Sequence, residues 1–90
     1  MIKDIKNWKE ITKGLYRYVI AANAAYEIHI LHQDVGTDIN DATASLYIAG
    51  DWTDLKNNSF FERESLITNA TVNECLSAAE KDYNEAVEVH

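Results

Sequence analysis

Two histidines lie close enough in the sequence to suggest a metal site. His29 and His32 are three residues apart in a segment of alternating apolar and polar residues. Side chains of a β-strand alternate between its two faces, so residues three apart point to opposite faces and do not share a metal ion. We interpret His29 as a solvent-facing residue and His32 as a residue at a loop edge, and we predict no metal site.

Cys75 is the one cysteine of the chain. A cysteine near the start of a helix can become a nucleophile, because the helix stabilises its thiolate. Cys75, however, falls in the middle of an apolar helical stripe, and the sequence places no histidine to activate it. We predict a small buried apolar residue. A single cysteine also excludes an internal disulfide and is typical of a reducing compartment, so we expect a cytoplasmic protein.

Other carboxylates could bind a cation or transfer protons. The segment 34–41 is rich in oxygen ligands, but Gly36 precedes the second acid and no glutamate closes the loop, so the calcium loop of an EF-hand is not matched. Glu62 and Glu64 share one face of a predicted strand, without an insertion that would build a pocket around them. The chain also lacks a glycine-rich phosphate loop. We therefore predict no enzyme, no catalytic residue and no cofactor.

These side chains must be positioned by a small fold. Asn7 as an N-cap and Gly14 as a stop predict a short helix that buries Trp8 and Ile11. Alternating patterns predict four strands, and the polar segment 33–41 predicts a loop before the third of them. For that third strand the alternative is a helix starting at Asp38. The predicted strands are Leu15–Ile20, Tyr26–Leu31, Ala42–Ala49 and Ser59–Ile67.

The last element has the clearest pattern. Thr71 and Glu74 have the spacing of a capping box, which marks the start of a helix. Seven apolar residues then recur on one helical face: Val72, Cys75, Leu76, Ala79, Tyr83, Ala86 and Val87. We predict an α+β domain of residues 1–90, with an antiparallel sheet of about four strands and both helices on one face, in the order α-β-β-β-β-α.

The charge of the chain is unevenly distributed. The net charge is −7; residues 1–33 carry +2 and residues 34–90 carry −9. This balance repels the phosphate backbone, so we expect no direct binding of nucleic acid. The longest nearly uncharged stretch, Tyr18–Tyr26, has nine residues, and a helix needs about 20 to cross a bilayer. We expect no membrane association and, instead, a basic protein surface as the partner.

Some of the acids lie where helix electrostatics disfavours them. Glu85 and Glu88 fall near the end of the last helix, where the helix dipole favours positive charge. Acids retained there suggest use by a partner, or else a frayed terminus at which the dipole penalty is small. Trp52 with its acidic neighbours suggests an interface anchor if it is exposed, and core if it folds over the sheet edge. The predicted partner-binding residues are Asp51, Trp52, Asp54, Glu62, Glu64, Glu74, Glu85 and Glu88.

In size, acidity, α/β outline and lack of catalytic groups, the chain resembles the small phage or mobile-element proteins that block host defence nucleases, including anti-CRISPR and anti-restriction proteins. The resemblance implies an inhibitor whose carboxylates occupy arginine and lysine sites that otherwise hold nucleic acid. Two alternatives stay open: a bacterial immunity protein or antitoxin that neutralises a cationic toxin, and a small structural or assembly module. The oligomeric state is not predicted.

Overall fold

The chain folds into one antiparallel sheet with a long helix packed on it. The computed structural model describes residues 1–21, 24–50 and 62–89. The strands follow one another in space as they do in sequence, each antiparallel to its neighbours. The elements are β1 (Lys9–Thr12), β2 (Leu15–Ala21), β3 (Ala24–His32), β4 (Thr43–Gly50), β5 (Glu62–Thr71) and α1 (Val72–Val89). The α+β class is confirmed, with five strands among the described residues in place of the predicted four.

The predicted N-terminal helix is wrong. A 3-10 helix spans Ile5–Asn7, and the chain then enters β1, whose Glu10 pairs with Tyr16 of β2. A helix of seven residues is marginal on its own, whereas the hairpin adds β1 to a sheet that already exists. Gly14 lies in the hairpin turn with φ of 85° and does not cap a helix. Trp8 is nevertheless buried, as predicted.

The other predicted strands are confirmed with small shifts of their ends. The third predicted strand, Ala42–Ala49, corresponds to β4 (Thr43–Gly50) and is not a helix; a 3-10 turn, Ile39–Asp41, precedes it. The fourth predicted strand, Ser59–Ile67, corresponds to β5, which continues to Thr71. Residues 59–61 of that prediction lie outside the described residues. Residues 22 and 23, between the first two predicted strands, also lie outside the described residues.

The helix begins as the capping box predicts. The Thr71 hydroxyl accepts a hydrogen bond from the Glu74 backbone at 3.1 Å, and the Glu74 carboxylate accepts one from the Thr71 backbone at 3.1 Å. The first half of the apolar stripe is buried, from Val72 to Ala79. Farther along, Tyr83 is 39% exposed and Ala86 is exposed, so the second half of the stripe extends past the core.

One helix covers only part of the sheet. A helix is about 10 Å wide, and the outer strands of a five-stranded sheet lie roughly 19 Å apart. The helix accordingly packs on β3, β4 and β5. The N-terminal segment covers part of β2, where the ring of Trp8 lies 5.5 Å from that of Tyr18 and its indole nitrogen donates to the Ile2 carbonyl at 2.7 Å. The core lies between these coverings and the sheet.

The opposite face of the sheet is not uniformly exposed. The alternation in β3 predicts that Glu27 and His29 face water, and for Glu27 this prediction is wrong, because its side chain is completely buried. Its carboxylate is bound by guanidinium groups from two other strands: Arg17 at 2.8 Å and Arg63 at 2.6 Å. A buried carboxylate is tolerated when such charged donors replace its water.

Candidate protein-binding surface

The carboxyl half of α1 and the first half of β5 lie at the same end of the molecule. β5 leads directly into α1, and the helix returns along the sheet in the opposite direction. Glu64 lies seven residues before Thr71, a rise of roughly 23 Å. Glu85 lies 13 residues after Val72, a rise of roughly 20 Å. The return of the helix therefore brings these two acids to one end, which we call the acidic end.

A shallow groove runs between β5 and the helix at this end. Leu66 of β5 and Ala78 of α1 form its apolar floor. Lys81, Asp82 and Glu85 of the helix line its side, around a cavity of about 210 Å³. Small apolar side chains at the floor and charged side chains along the rim are the arrangement expected of a polar contact surface.

The charges of the acidic end are only weakly compensated. Glu64 is exposed and makes no ion pair among the described residues. Glu85 approaches Lys81 at 4.0 Å with both side chains mostly exposed, and an exposed pair of this kind contributes little energy. Asp82 accepts a hydrogen bond from the phenol of Tyr26 at 2.5 Å, which orients its carboxylate beside the groove.

The remaining predicted partner-binding residues fall in several places. Glu62 opens β5 and Glu88 lies in the last turn of α1, so their backbones belong to the acidic end; their side chains are not described. Glu74 lies at the other end of the helix and takes part in its capping box. Asp51, Trp52 and Asp54 lie outside the described residues. The structure thus places Glu64 and Glu85 at the same end of the molecule and Glu74 at the other end.

The two histidines have separate surroundings. The His29 ring packs 4.7 Å from that of Tyr47, and its Nε2 lies 3.2 Å from the Glu27 carboxylate. His32 is exposed and lies 2.8 Å from Asp34. Within residues 1–21, 24–50 and 62–89, no group of three or more histidine, cysteine, aspartate or glutamate side chains could hold a metal ion.

Cys75 is a core residue. It is completely buried between the helix and the sheet. Burial, and then the nearby negative charge of Glu74, raise the pKa of the thiol to about 11. Because the thiolate is the reactive form, this environment suppresses nucleophilic chemistry at physiological pH.

A buried charge cluster was not predicted from the sequence. Glu27 is held by Arg17, Arg63 and His29 on the sheet face opposite the helix. Burial by itself would raise the pKa of Glu27, but the hydrogen bonds from Arg63, Arg17 and His29 outweigh it and lower the pKa. Arg17 and Glu27 carry opposite charges and lie on adjacent predicted strands, so their contact could have been predicted as a cross-strand pair. The contribution of Arg63 could not be seen without the strand order.

No protein family model matches this chain, and comparisons with curated proteins and with solved structures found no match either. The part of the chain that the structure describes contains no helix long and apolar enough to cross a membrane.

Proposed function

We propose that this domain is a non-enzymatic inhibitor, which binds a basic protein surface through its acidic end. The site it would block is one that holds nucleic acid on a cytoplasmic host nuclease complex, as an anti-CRISPR or anti-restriction protein of a phage or mobile element does. The observation that carries the proposal is the convergence of Glu64 and Glu85 at one end of the sheet, brought about by the antiparallel course of β5 and α1.

The geometry suits competition with a phosphate backbone. A carboxylate binds a guanidinium with two parallel hydrogen bonds, as a phosphate does. The described acids at this end are Glu64, Asp82 and Glu85, and the described cations near them are Lys81 and Arg63, the latter bound to Glu27. Arginine and lysine side chains of the partner would bind these acids, while its apolar side chains would cover Leu66 and Ala78. The net charge of −7 would accelerate the encounter with a basic site.

The test is affinity capture at low salt from lysate of the host cell, with the purified domain as bait. The test variant is the double substitution Glu64→Gln and Glu85→Gln. The matched control is the double substitution Glu10→Gln and Asp34→Asn, which removes the same charge from the other end of the molecule. Thermal unfolding of all three baits checks that they fold equally well.

We expect wild type and the control to retain a basic nucleic-acid-binding protein that the Glu64/Glu85 variant loses. Retention should weaken steeply between low and high salt, because charged contacts dominate. The captured complex should lose nucleic-acid binding or cleavage when wild-type domain is added. Equal retention by all three baits, salt-independent retention, or a partner whose nucleic-acid binding is unaffected would contradict the proposal.

A further inference from the structure

A second candidate site lies at the corner of the sheet that the helix leaves uncovered. The helix covers β3 to β5 and the N-terminal segment covers the middle of β2. Beyond them, between the β1–β2 turn and the segment that links β3 to β4, is a cavity of about 580 Å³. Pockets for small ligands occupy about 300–1,000 Å³. The cavity therefore has the volume of a ligand site.

The floor of this cavity is apolar. Ile30 of β3 and Tyr16 of β2 are half-buried and pack against the core, and Ile39 of the 3-10 turn closes the far side. The hydrogen bond from the Ile30 backbone to the Gly14 carbonyl, 2.7 Å long, holds the β1–β2 turn against β3. The floor thus rests on the hydrogen-bonded backbone of β2 and β3, which gives it a defined shape.

Two carboxylates stand on different walls of the cavity. Glu10 lies on β1, beside the phenol of Tyr16, while Asp34 follows the end of β3 and lies 2.8 Å from the His32 ring. Burial, then the charge of Glu10 and its hydrogen bond, raise the pKa of Tyr16, so the phenol stays a neutral donor. The ionisable side chains of the lining, Glu10, Lys13, His32 and Asp34, carry a net charge of −1 with a neutral imidazole.

We propose that this cavity binds a short aliphatic diamine, with one ammonium group at Glu10, the other at Asp34 and the alkyl chain on Ile30 and Ile39. Strands β1 and β3 are two strand spacings apart, roughly 10 Å. Glu10 on β1 and Asp34 just after β3 line the same cavity as the apolar Ile30 and Ile39. Two carboxylates on different walls with an apolar surface between them match a molecule with a cation at each end and methylene groups between. The aromatic ring of Tyr16 adds a favourable surface for an ammonium group.

The test is a titration of the isotope-labelled protein with putrescine or cadaverine, followed by amide chemical shifts in nuclear magnetic resonance spectra. Butylamine, with one ammonium group, is the control ligand. The variants are Glu10→Gln and Asp34→Asn, taken singly. The Glu64→Gln, Glu85→Gln double variant is the control for loss of negative charge elsewhere.

We expect saturable shifts of residues 10–16 and 30–39, and an affinity for the diamine that falls about tenfold in either single variant, because each removes a charged hydrogen bond. The double variant should bind as wild type does, and butylamine should bind at least as weakly as the diamine binds the single variants. Shifts that do not saturate, that centre on residues 62–85, or that survive Glu10→Gln and Asp34→Asn would overturn the site. Butylamine binding as tightly as putrescine would overturn the diamine assignment. The acidic end takes no part in this site, so either proposal can fail without the other.

Discussion

The Nε of Arg63 donates a 2.6 Å hydrogen bond to the buried carboxylate of Glu27, and this bond joins β5 to β3 across β4. The two strands are roughly 10 Å apart. Arg63 reaches across because its neighbour on β4 is Ala49, a small residue that pairs with both β5 and β3. Arg17 binds the other carboxylate oxygen at 2.8 Å. One acid thus ties three strands together on the face that the helix does not cover.

Removing this carboxylate should destabilise the domain. Glu27→Ala leaves two guanidinium groups beside a buried space, and breaking a buried ion pair costs about 3–5 kcal/mol. We expect a loss near the lower figure, since Arg63 retains some exposure to water. Urea denaturation measures it, with Glu64→Gln as an exposed control. Glu27→Gln, which keeps the shape and one acceptor, should lose less; equal stability of wild type and Glu27→Ala would contradict the role of the cluster.

Acid should weaken the same cluster. The pKa of Glu27 is lowered from an ordinary value of 4.5, so its ionised form is bound more tightly in the folded state. A lowered pKa contributes stability that is fully present above pH 4.5 and is lost as the pH falls below it. The difference in unfolding free energy between wild type and Glu27→Gln should therefore shrink below pH 4.5. A difference that stays constant from pH 7 to pH 3 would count against this account.

Local patterns predicted the elements whose shape depends on near neighbours. The stripe of α1 and its capping box are such patterns, and so is the alternation in β3. The same kind of pattern misled at residues 7–13, where the local helix signals of Asn7 and Gly14 are weaker than the pairing of Glu10 with Tyr16. Tertiary pairing overrides weak helix propensity in so short a segment.

The sequence predicted individual residues of the candidate site, but not that they lie at the same end of the molecule. Glu64 and Glu85 were singled out because of their charge and their positions on predicted elements. The two acids lie at the same end because α1 runs back along β5, and this course of the helix is known only from the fold. The burial of Glu27 likewise depends on Arg63, whose place beside it follows from the register of β5 with β4. Alternation with a period of two assigns the side chains of a strand to its two faces, but it does not show which residues from other strands bury each face.

The capping box at the start of α1 should contribute measurably to stability. Thr71→Ala removes the hydroxyl that accepts from the Glu74 backbone, and such a change costs about 1 kcal/mol. Thermal unfolding by circular dichroism measures the loss. Thr71→Ser keeps the hydroxyl and should recover most of it. If both variants melted together, well below wild type, the methyl group and not the cap would explain the effect.

The bond between Tyr26 and Asp82 should hold the helix to the sheet. Burial, and then the Asp82 carboxylate, raise the pKa of Tyr26, so the phenol remains a donor at ordinary pH. Tyr26→Phe removes that donor, and hydrogen bonds to charged groups are worth about 1.5–3 kcal/mol. We expect a loss near the lower figure in urea denaturation. Asp82→Asn retains an acceptor and should cost less; a Tyr26→Phe variant as stable as wild type would show that the bond adds nothing.

Cys75 should be protected from thiol reagents for as long as the domain stays folded. Its complete burial excludes the reagent, and a pKa of about 11 leaves almost no thiolate at pH 8. We expect Ellman's reagent to modify the folded protein about a hundredfold or more slowly than the protein unfolded in urea. The lower thiolate population of the folded state accounts for a factor of that size by itself. Glu27→Ala should accelerate the native reaction, because it lowers the free energy of opening, whereas Glu64→Gln should not. Rapid modification of the native wild-type protein would place the thiol at the surface and contradict the packing of α1 on the sheet.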